Sequence, residues 1–471
     1  LNKSRQLVED VSPEVHEAVH DDGDWKVHVF RRDHTPVVLH ESGMPPFEDL
    51  VPHVQVSTLA SWDEFVRWEL AVQQDSYQSD AKLESLANKL TEGDTTPRAK
   101  LDHLFRYAAE EIRYQMEYET SIAGVKPHAC PVVLERKYGD CKDKAVLLTT
   151  LARQVGIELN VALVRTHEWG RLSQAVPSQQ FNHEILYVPE QAGIEHAFFL
   201  DPTVDALDMD NLRSDDQGTT ALVINPKTGE HRFVPIPYRG PEEEFERHTM
   251  EVKVVSPTDV TLLDHMQLRG GGAAYLRRAV RNEAQADKIF QTLGSYIVQA
   301  STLVYGSAPD HEEIGHPLHV DLQLDVSSSM RAEGDHFRLK VPQVFHLDSN
   351  VAATARSNPL ELGVPSSGLL DWTATLPEGM QAIELPKAVH VESACLKVER
   401  SVEVKGRDVL VHDHYTRTCP VISVADYPAY RHAVQDATTQ LEVELVFGAA
   451  PGNKAKAKPA TSSNAGAHAS R

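Results

Sequence analysis

At Gly156 the periodicity of the chain changes, and that change limits the folds open to it. Upstream, apolar residues recur at three- and four-residue spacing: Leu83, Leu86 and Leu90, then Leu101, Leu104, Phe105, Ala108 and Ile112 behind Pro97, then Val146, Leu147, Leu148, Leu151 and Val155. Such spacing gives a helix one apolar face. Ser61-Trp-Asp-Glu64 reads as a capping box opening an earlier helix that carries Phe65, Trp68 and Leu70. Downstream, residues 157–165, 182–188 and 198–201 read as strands between Gly, Pro and acidic turns. A helical block that feeds an antiparallel sheet is an α+β arrangement.

At 471 residues the chain exceeds what one hydrophobic core serves, so several domains are expected. Residues 1–60 contain short strand-like runs at 25–31, 36–40 and 51–58. These are too few for an independent sandwich and are expected to be the C-terminal part of a longer β-rich domain. Residues 61–240 hold the helical block and its sheet and end at a connector rich in Pro, Gly and Glu, residues 235–246. Residues 241–448 are expected to be a β-rich domain with a helical insertion, two helical stretches that follow Gly270 to Gly272 and reach about Tyr305, and a closing helix at 426–444, with Asp426 as cap and Pro428 in its first turn. Residues 449–471 lack any periodic apolar pattern and are expected to be a disordered tail.

Charge removes one class of function. With 46 basic and 69 acidic side chains the formal charge is -23, whereas nucleic-acid binding needs basic residues that displace counterions from phosphates. No apolar run approaches the roughly 20 residues that span a bilayer, so no membrane insertion is expected. The four cysteines form no disulfide scaffold. Cys395 and Cys419 flank a hairpin turning at Gly406 and Arg407. A three-residue loop would place the two sulfurs side by side, whereas a two-residue turn sets Cys395 opposite Thr418 and sends Cys419 to the other face; the two-residue register also aligns Val404 with Val409 and Val402 with Val411, so no bond between them is expected.

Chemistry concentrates at Tyr138-Gly-Asp-Cys-Lys-Asp-Lys-Ala145. Asp140 can cap the following helix, which puts Cys141 in its first turn, where free N–H groups and the positive end of the dipole favour thiolate over thiol. A thiolate nucleophile still needs an imidazole that protonates the leaving amine. His183 lies on a strand-like segment with Ile185 and Tyr187 on the same face, and a second strand ends in Leu200-Asp201-Pro202-Thr203. Pairing these strands across residues 189–195 brings Asp201 behind His183, as in a catalytic triad.

In order and approximate spacing these motifs, together with Ile112-Arg-Tyr114 and Asn182-His183, resemble the transglutaminase-like superfamily, in particular bacterial proteins in which a β-rich domain of unknown function precedes a transglutaminase core. The resemblance implies a papain-like core flanked by β-rich domains and thioester chemistry on peptide or protein amides, with Cys141 as nucleophile, His183 as base and Asp201 as its orienting carboxylate. It leaves open whether the acceptor is an amine, giving acyl transfer, or water, giving a cysteine protease, peptidase or deamidase. A non-enzymatic envelope binding or assembly module is the alternative from a different class. The same resemblance favours a bacterial periplasmic or envelope setting, with envelope proteins as partners. No acidic loop has EF-hand spacing, so no calcium is expected, and no cofactor or other metal either. Cys130, Asn182, Glu184 and Tyr114 are read as structural, and His412 and His414 as surface residues.

Overall fold

A computed structural model describes residues 1–35, 37–116, 124–256 and 258–450. Near the N-terminus β1 (Val8–Val11) is joined by β4 (Val54–Ser57), and β2 (His16–Asp22) by β3 (Trp25–Arg31), both antiparallel. Residues 37–40 are irregular rather than a strand, and Pro36 lies outside the described residues. This segment builds little core, since every residue of β2 is exposed. Polar contacts hold it to later parts of the chain instead. Asp49, in the single turn α1 (Phe47–Leu50), accepts from the Arg171 amide at 2.6 Å. Glu41 accepts from the amides of Ser357 at 2.8 Å and Asn358 at 2.9 Å.

Five helices follow: α2 (Trp62–Gln73), α3 (Ala81–Leu90), α4 (Pro97–Arg106), α5 (Cys130–Arg136) and α6 (Cys141–Gln154). Asp80 caps α3 and Thr96 caps α4, whose Pro97 sits in the first turn. Ser61 caps α2 only by position. Its side chain makes no cap bond, and Glu64 reaches back to the Ala60 amide at 3.0 Å. The short strands β5 (Arg113–Tyr114) and β6 (Tyr138–Gly139) pair in parallel and lead the chain into α6. Every residue of α6 from Lys142 to Ala152 is buried, under α3, α4, α5 and the sheet beyond. Each fully buried Leu or Val contributes about 1.5–3 kcal/mol, so tertiary packing fixes this helix more firmly than local propensity does.

The sheet is antiparallel, in the order β11-β10-β7-β8-β9, from β7 (Asn160–Val164), β8 (His183–Val188), β9 (Phe198–Leu200), β10 (Thr220–Ile224) and β11 (His231–Pro235). All six residues of β8 are buried. Leu186, Val188 and Leu200 join the helical core, while Ile185, Tyr187 and Phe199 pack with Ala162, Val164 and Ile236 on the opposite face. Mixed α+β architecture follows directly.

Beyond Pro241 a separate core begins. Its eight-stranded sheet uses β12 (Phe245–Ser256), β13 (Asp259–Arg269), β14 (Thr302–Ser307), β15 (Leu318–Asp325), β19 (Ser366–Thr375), β21 (Val389–Glu392), β22 (Leu396–Lys405) and β23 (Asp408–Arg417), ordered β14-β15-β13-β12-β19-β23-β22-β21. Only the β12–β19 pair is parallel. A four-stranded sheet of β16 (Met330–Glu333), β17 (His336–Lys340), β25 (Glu444–Ala449) and β20 (Met380–Glu384) shares its core. So do α7 (Gly271–Val280) and α8 (Glu283–Ile297), the expected insertion, and α9 (Tyr427–Leu441). Residue 449, expected to open the tail, ends β25, and residues 451–471 lie outside the described residues.

One expectation is overturned. Cys395 and Cys419 form a disulfide, with Cα atoms 5.2 Å apart, although the hairpin has the anticipated register, Val404 opposite Val409 and Val402 opposite Val411. Alternation of faces constrains residues only while they stay in the ladder, and the strands end at Leu396 and Arg417. Past Thr418, which still bonds to the Cys395 carbonyl, the chain bends to pair β24 (Val421–Ile422) with β18 (Leu360–Glu361) and brings Cys419 back beside Cys395.

Candidate active site

The approach to Cys141 is built from the backbone outward. Gly139 is required because a Cβ there would lie 2.6 Å from the Asp143 Cβ. Asp140 accepts from the Asp143 amide at 3.3 Å, and Asp143 Oδ2 accepts from the Asp140 amide at 3.1 Å, a reciprocal capping box. Asp143 Oδ1 also accepts from the His128 amide at 2.7 Å, tying the helix start to the preceding loop. Cys141 is therefore the first residue of α6, partly exposed, with its amide and that of Lys142 in the turn that has no intrahelical acceptor. Lys142 forms a buried ion pair with Asp140.

His183 opens β8, and β9 pairs with it so that Leu200 faces Leu186, which puts Asp201 diagonally beside His183 on the same face. His183 Nε2 lies 3.1 Å from Asp201 Oδ2. Cys141 lies close enough to the same ring to add to the rise of its imidazole; with Nε2 engaged by Asp201, Nδ1 is the nitrogen left for sulfur. The structure thus gathers the three residues singled out in the sequence at one site, with the His183–Asp201 hydrogen bond on one side of the ring and Cys141 near it. Thr203 fixes the carboxylate, its amide donating to Oδ1 at 2.9 Å and its hydroxyl to Oδ2 at 2.8 Å.

Burial alone would push the His183 imidazolium down, but the charge and hydrogen bond of Asp201 outweigh it, aided by Cys141 and, once it has lost its proton, by Asp216, and hold the ring well above its usual value. Burial would likewise raise Asp201. His183, Thr203 and Arg213 instead bring it down to about 2. The pair rests as imidazolium and carboxylate.

Two groups at the site escaped sequence reasoning. Asp216 is fully buried, with an oxygen 4.0 Å from His183 Nε2, and neither of its oxygens has a hydrogen-bond partner among the described residues. Burial raises it to about 8 against the pull of His183, with Asp201 and Asp215 adding to the rise. Lys144, one turn past Cys141, is buried and donates to the Ala109 carbonyl at 3.1 Å; burial lowers it to about 8 despite the opposing pull of Asp201 and Asp205. Asp216 lies in the irregular stretch between β9 and β10, where no periodicity signals inward placement. His183, Asp201 and Asp216 offer ligand atoms within 4.8 Å of one another, a spacing that would also suit a metal ion. The use the geometry shows is the hydrogen bond between the first two.

Residues read as structural fall outside this group. Asn182 locks to Thr166, donating to its hydroxyl and accepting from its amide, both at 2.8 Å. Glu184 points away from His183 and accepts from Gln73 at 3.0 Å, and Gln73 also bonds to Glu69 at 2.7 Å. Burial pushes Glu184 well up and Glu69 up to about 7. The buried Cys130 thiol donates to Thr150 at 3.2 Å and is raised by burial to about 11. His412 pairs with Asp371 at 2.6 Å on the outer face of β23. Tyr114 is the exception: half-exposed, it lies near enough to Cys141 and Asp140 that their charges add to the rise burial gives its hydroxyl.

The family model of the Transglutaminase-like superfamily matches residues 84–184, from α3 to the start of β8, and that of a Domain of Unknown Function with solved-structure structure (DUF3858) matches residues 338–447. A crystal structure described as a "putative protease" from Parabacteroides distasonis shares the fold, with a TM-score of 0.59 over 95% of this chain and 70% of that one, at 14% identity. No curated protein matches the chain. From residue 84 to residue 184, then, the chain carries a transglutaminase-like core, followed at 338–447 by a DUF3858 domain.

Proposed function

We propose that this chain is a cysteine enzyme that opens amide bonds of peptides or proteins through a thioester on Cys141. The observation that carries the reading is the His183–Asp201 hydrogen bond with Cys141, the first residue of α6, beside the same ring. The sulfur, with His183 carrying its proton, attacks the carbonyl carbon, and the oxyanion forms beside the first-turn amides of α6. His183 then gives its proton to the departing nitrogen, the C–N bond breaks, and a neutral imidazole faces the thioester. An incoming water or amine gives its proton back to His183 as it displaces the sulfur. Asp201 keeps the ring oriented and stabilises each imidazolium state. Asp216, as a neutral acid near physiological pH, adds no second negative charge behind the ring.

Water is the acceptor we favour, which makes the activity that of a protease, peptidase or deamidase, in keeping with the description of the solved structure that shares the fold. We place the catalytic unit at about residues 61–240 and read the β-rich parts as surfaces for substrate or envelope partners. The Cys395–Cys419 disulfide suits an oxidising compartment such as a periplasm. A peptidyl electrophile followed by intact-mass measurement tests the nucleophile: one adduct on Cys141, none on Cys141→Ala. Digestion of a protein mixture in ¹⁸O water then identifies the acceptor. New labelled carboxyl termini mean peptidase action, labelled Glu at former Gln means deamidation, and isopeptides mean acyl transfer. No adduct and no product leaves the non-enzymatic assembly module as the reading.

A further inference from the structure

A cavity of about 290 Å³ lies between the α7–α8 hairpin and the inner face of β12 and β13, and none of its walls comes from residues 61–240. Its walls are mostly apolar, with Met266 and Leu268 from the sheet and Leu276, Ile289 and Leu293 from the helices. Tyr275 and Tyr296, 73% and 57% exposed, stand where it meets solvent.

The sheet floor breaks its own pattern here. Along β12 the inward positions Met250, Val252 and Val254 are apolar, but the same face carries Glu246 and His248 at the cavity. His248 is accounted for: its Nδ1 lies 2.8 Å from Asp264 Oδ2, both groups are buried, and Asp264 holds the ring in its charged form against burial. That leaves one carboxylate over. Glu246 is half-buried, lines the cavity and makes no hydrogen bond or ion pair among the described residues. Burial raises it, and its charge in turn adds to the rise of the Tyr296 hydroxyl across the cavity. With all three groups ionised, Glu246, His248 and Asp264 sum to one negative charge under an apolar vault.

Such a site discriminates by charge. An anion meets Glu246 unfavourably, and a neutral apolar guest leaves the carboxylate desolvated and unpaired. A cation on an aliphatic stem satisfies both parts, and aromatic faces at the entrance favour it further. We propose that this cavity binds a primary ammonium on a short aliphatic chain, the chemistry of a lysine side chain, with the stem against Met266, Leu268 and Leu293 and the nitrogen on the Glu246 carboxylate.

Titration calorimetry on the full chain tests this with n-hexylamine, hexan-1-ol and hexanoate, and with Nα-acetyl-lysine methylamide as the peptide-like source of the same group. Hexylamine should bind about tenfold or more tighter than hexanol, with hexanoate weaker still. Glu246→Gln, nearly isosteric, should remove that preference, and Tyr275→Ala, at an exposed position that cannot unfold the sheet, should weaken ammonium binding several-fold. Tighter binding of the free amine assigns the site to small amines, and tighter binding of the lysine derivative assigns it to peptides. Cys141→Ala should bind like wild type, which separates this inference from the proposed chemistry. Equal affinity for hexylamine and hexanol, unchanged ammonium binding in Glu246→Gln, or no binding at millimolar concentration overturns it.

Discussion

Around His183 two carboxylates of identical chemistry are held in opposite states. Asp201, given three hydrogen bonds, stays ionised down to about pH 2, while Asp216, given none, keeps its proton up to about 8. Their removal should therefore differ. Asp201→Asn takes away the charge that stabilises the imidazolium and is expected to lower kcat/KM by about a thousandfold or more, whereas Asp216→Asn, which mimics the neutral acid already present, should change it little at about pH 7. Stability gives the complementary signature. The folded state holds the Asp216 proton that the unfolded chain releases near pH 4, so Asp216 subtracts stability as pH rises from about 4 to about 8. Asp201 acts in the other direction, its contribution being present above about pH 4 and lost as pH falls toward 2. Thermal unfolding of Asp216→Asn should gain on wild type between about pH 5 and about pH 8, and a constant offset would contradict the assignment. Cys141, His183 and Asp201 were legible because a helix cap and a strand pairing, both local patterns, place them. Asp216 and Lys144 were not, because their burial depends on loop path and on distant packing that leave no period in the sequence.

The start of α6 is the element on which the site turns. Gly139 packs its bare Cα against Asp143, and Asp143 completes the capping box. Gly139→Ala is expected to displace Asp143, cost about 1–3 kcal/mol and lower the labelling rate of Cys141 by shifting the first turn; unchanged stability and labelling would remove the glycine from the account. Elements with a clear period match the structure, as in α4 behind Pro97 and β8; the helical reading after the glycine run holds for α7 and α8 but not as far as Tyr305, since α8 ends at Ile297 and Thr302–Ser307 form β14, paired with β15. The strand expected at 36–40 is absent over its described residues, 37–40: Val37 and Leu39 have no partner strand among the described residues and stand 83% and 60% exposed. The disulfide was missed for a related reason. Register was right inside the β22–β23 ladder, but both cysteines lie just beyond it, where tertiary path overrides alternation.

At the scale of the whole molecule, the apolar residues of the transglutaminase-like core and those of the following β-rich part gather in separate large clusters, which meet at the small apolar group of Ala206, Leu207 and Ala274 and through polar contacts such as Arg106 donating to the Ile314 carbonyl at 2.8 Å. Perturbing one should leave the other in place. The disulfide closes a loop of 24 residues, worth about 3 kcal/mol. Replacing both cysteines by serine should speed amide exchange in β22 and β23 by about a hundredfold while exchange in α6 is unchanged; equal acceleration in α6 would mean that the two parts unfold as one. The most direct test of the account as a whole is the rate of iodoacetamide alkylation of Cys141 against pH in the intact protein. Proton transfer between Cys141 and His183 predicts alkylation about tenfold or more faster in wild type than in His183→Ala near neutral pH. Alkylation at the same rate in both proteins at every pH would contradict it.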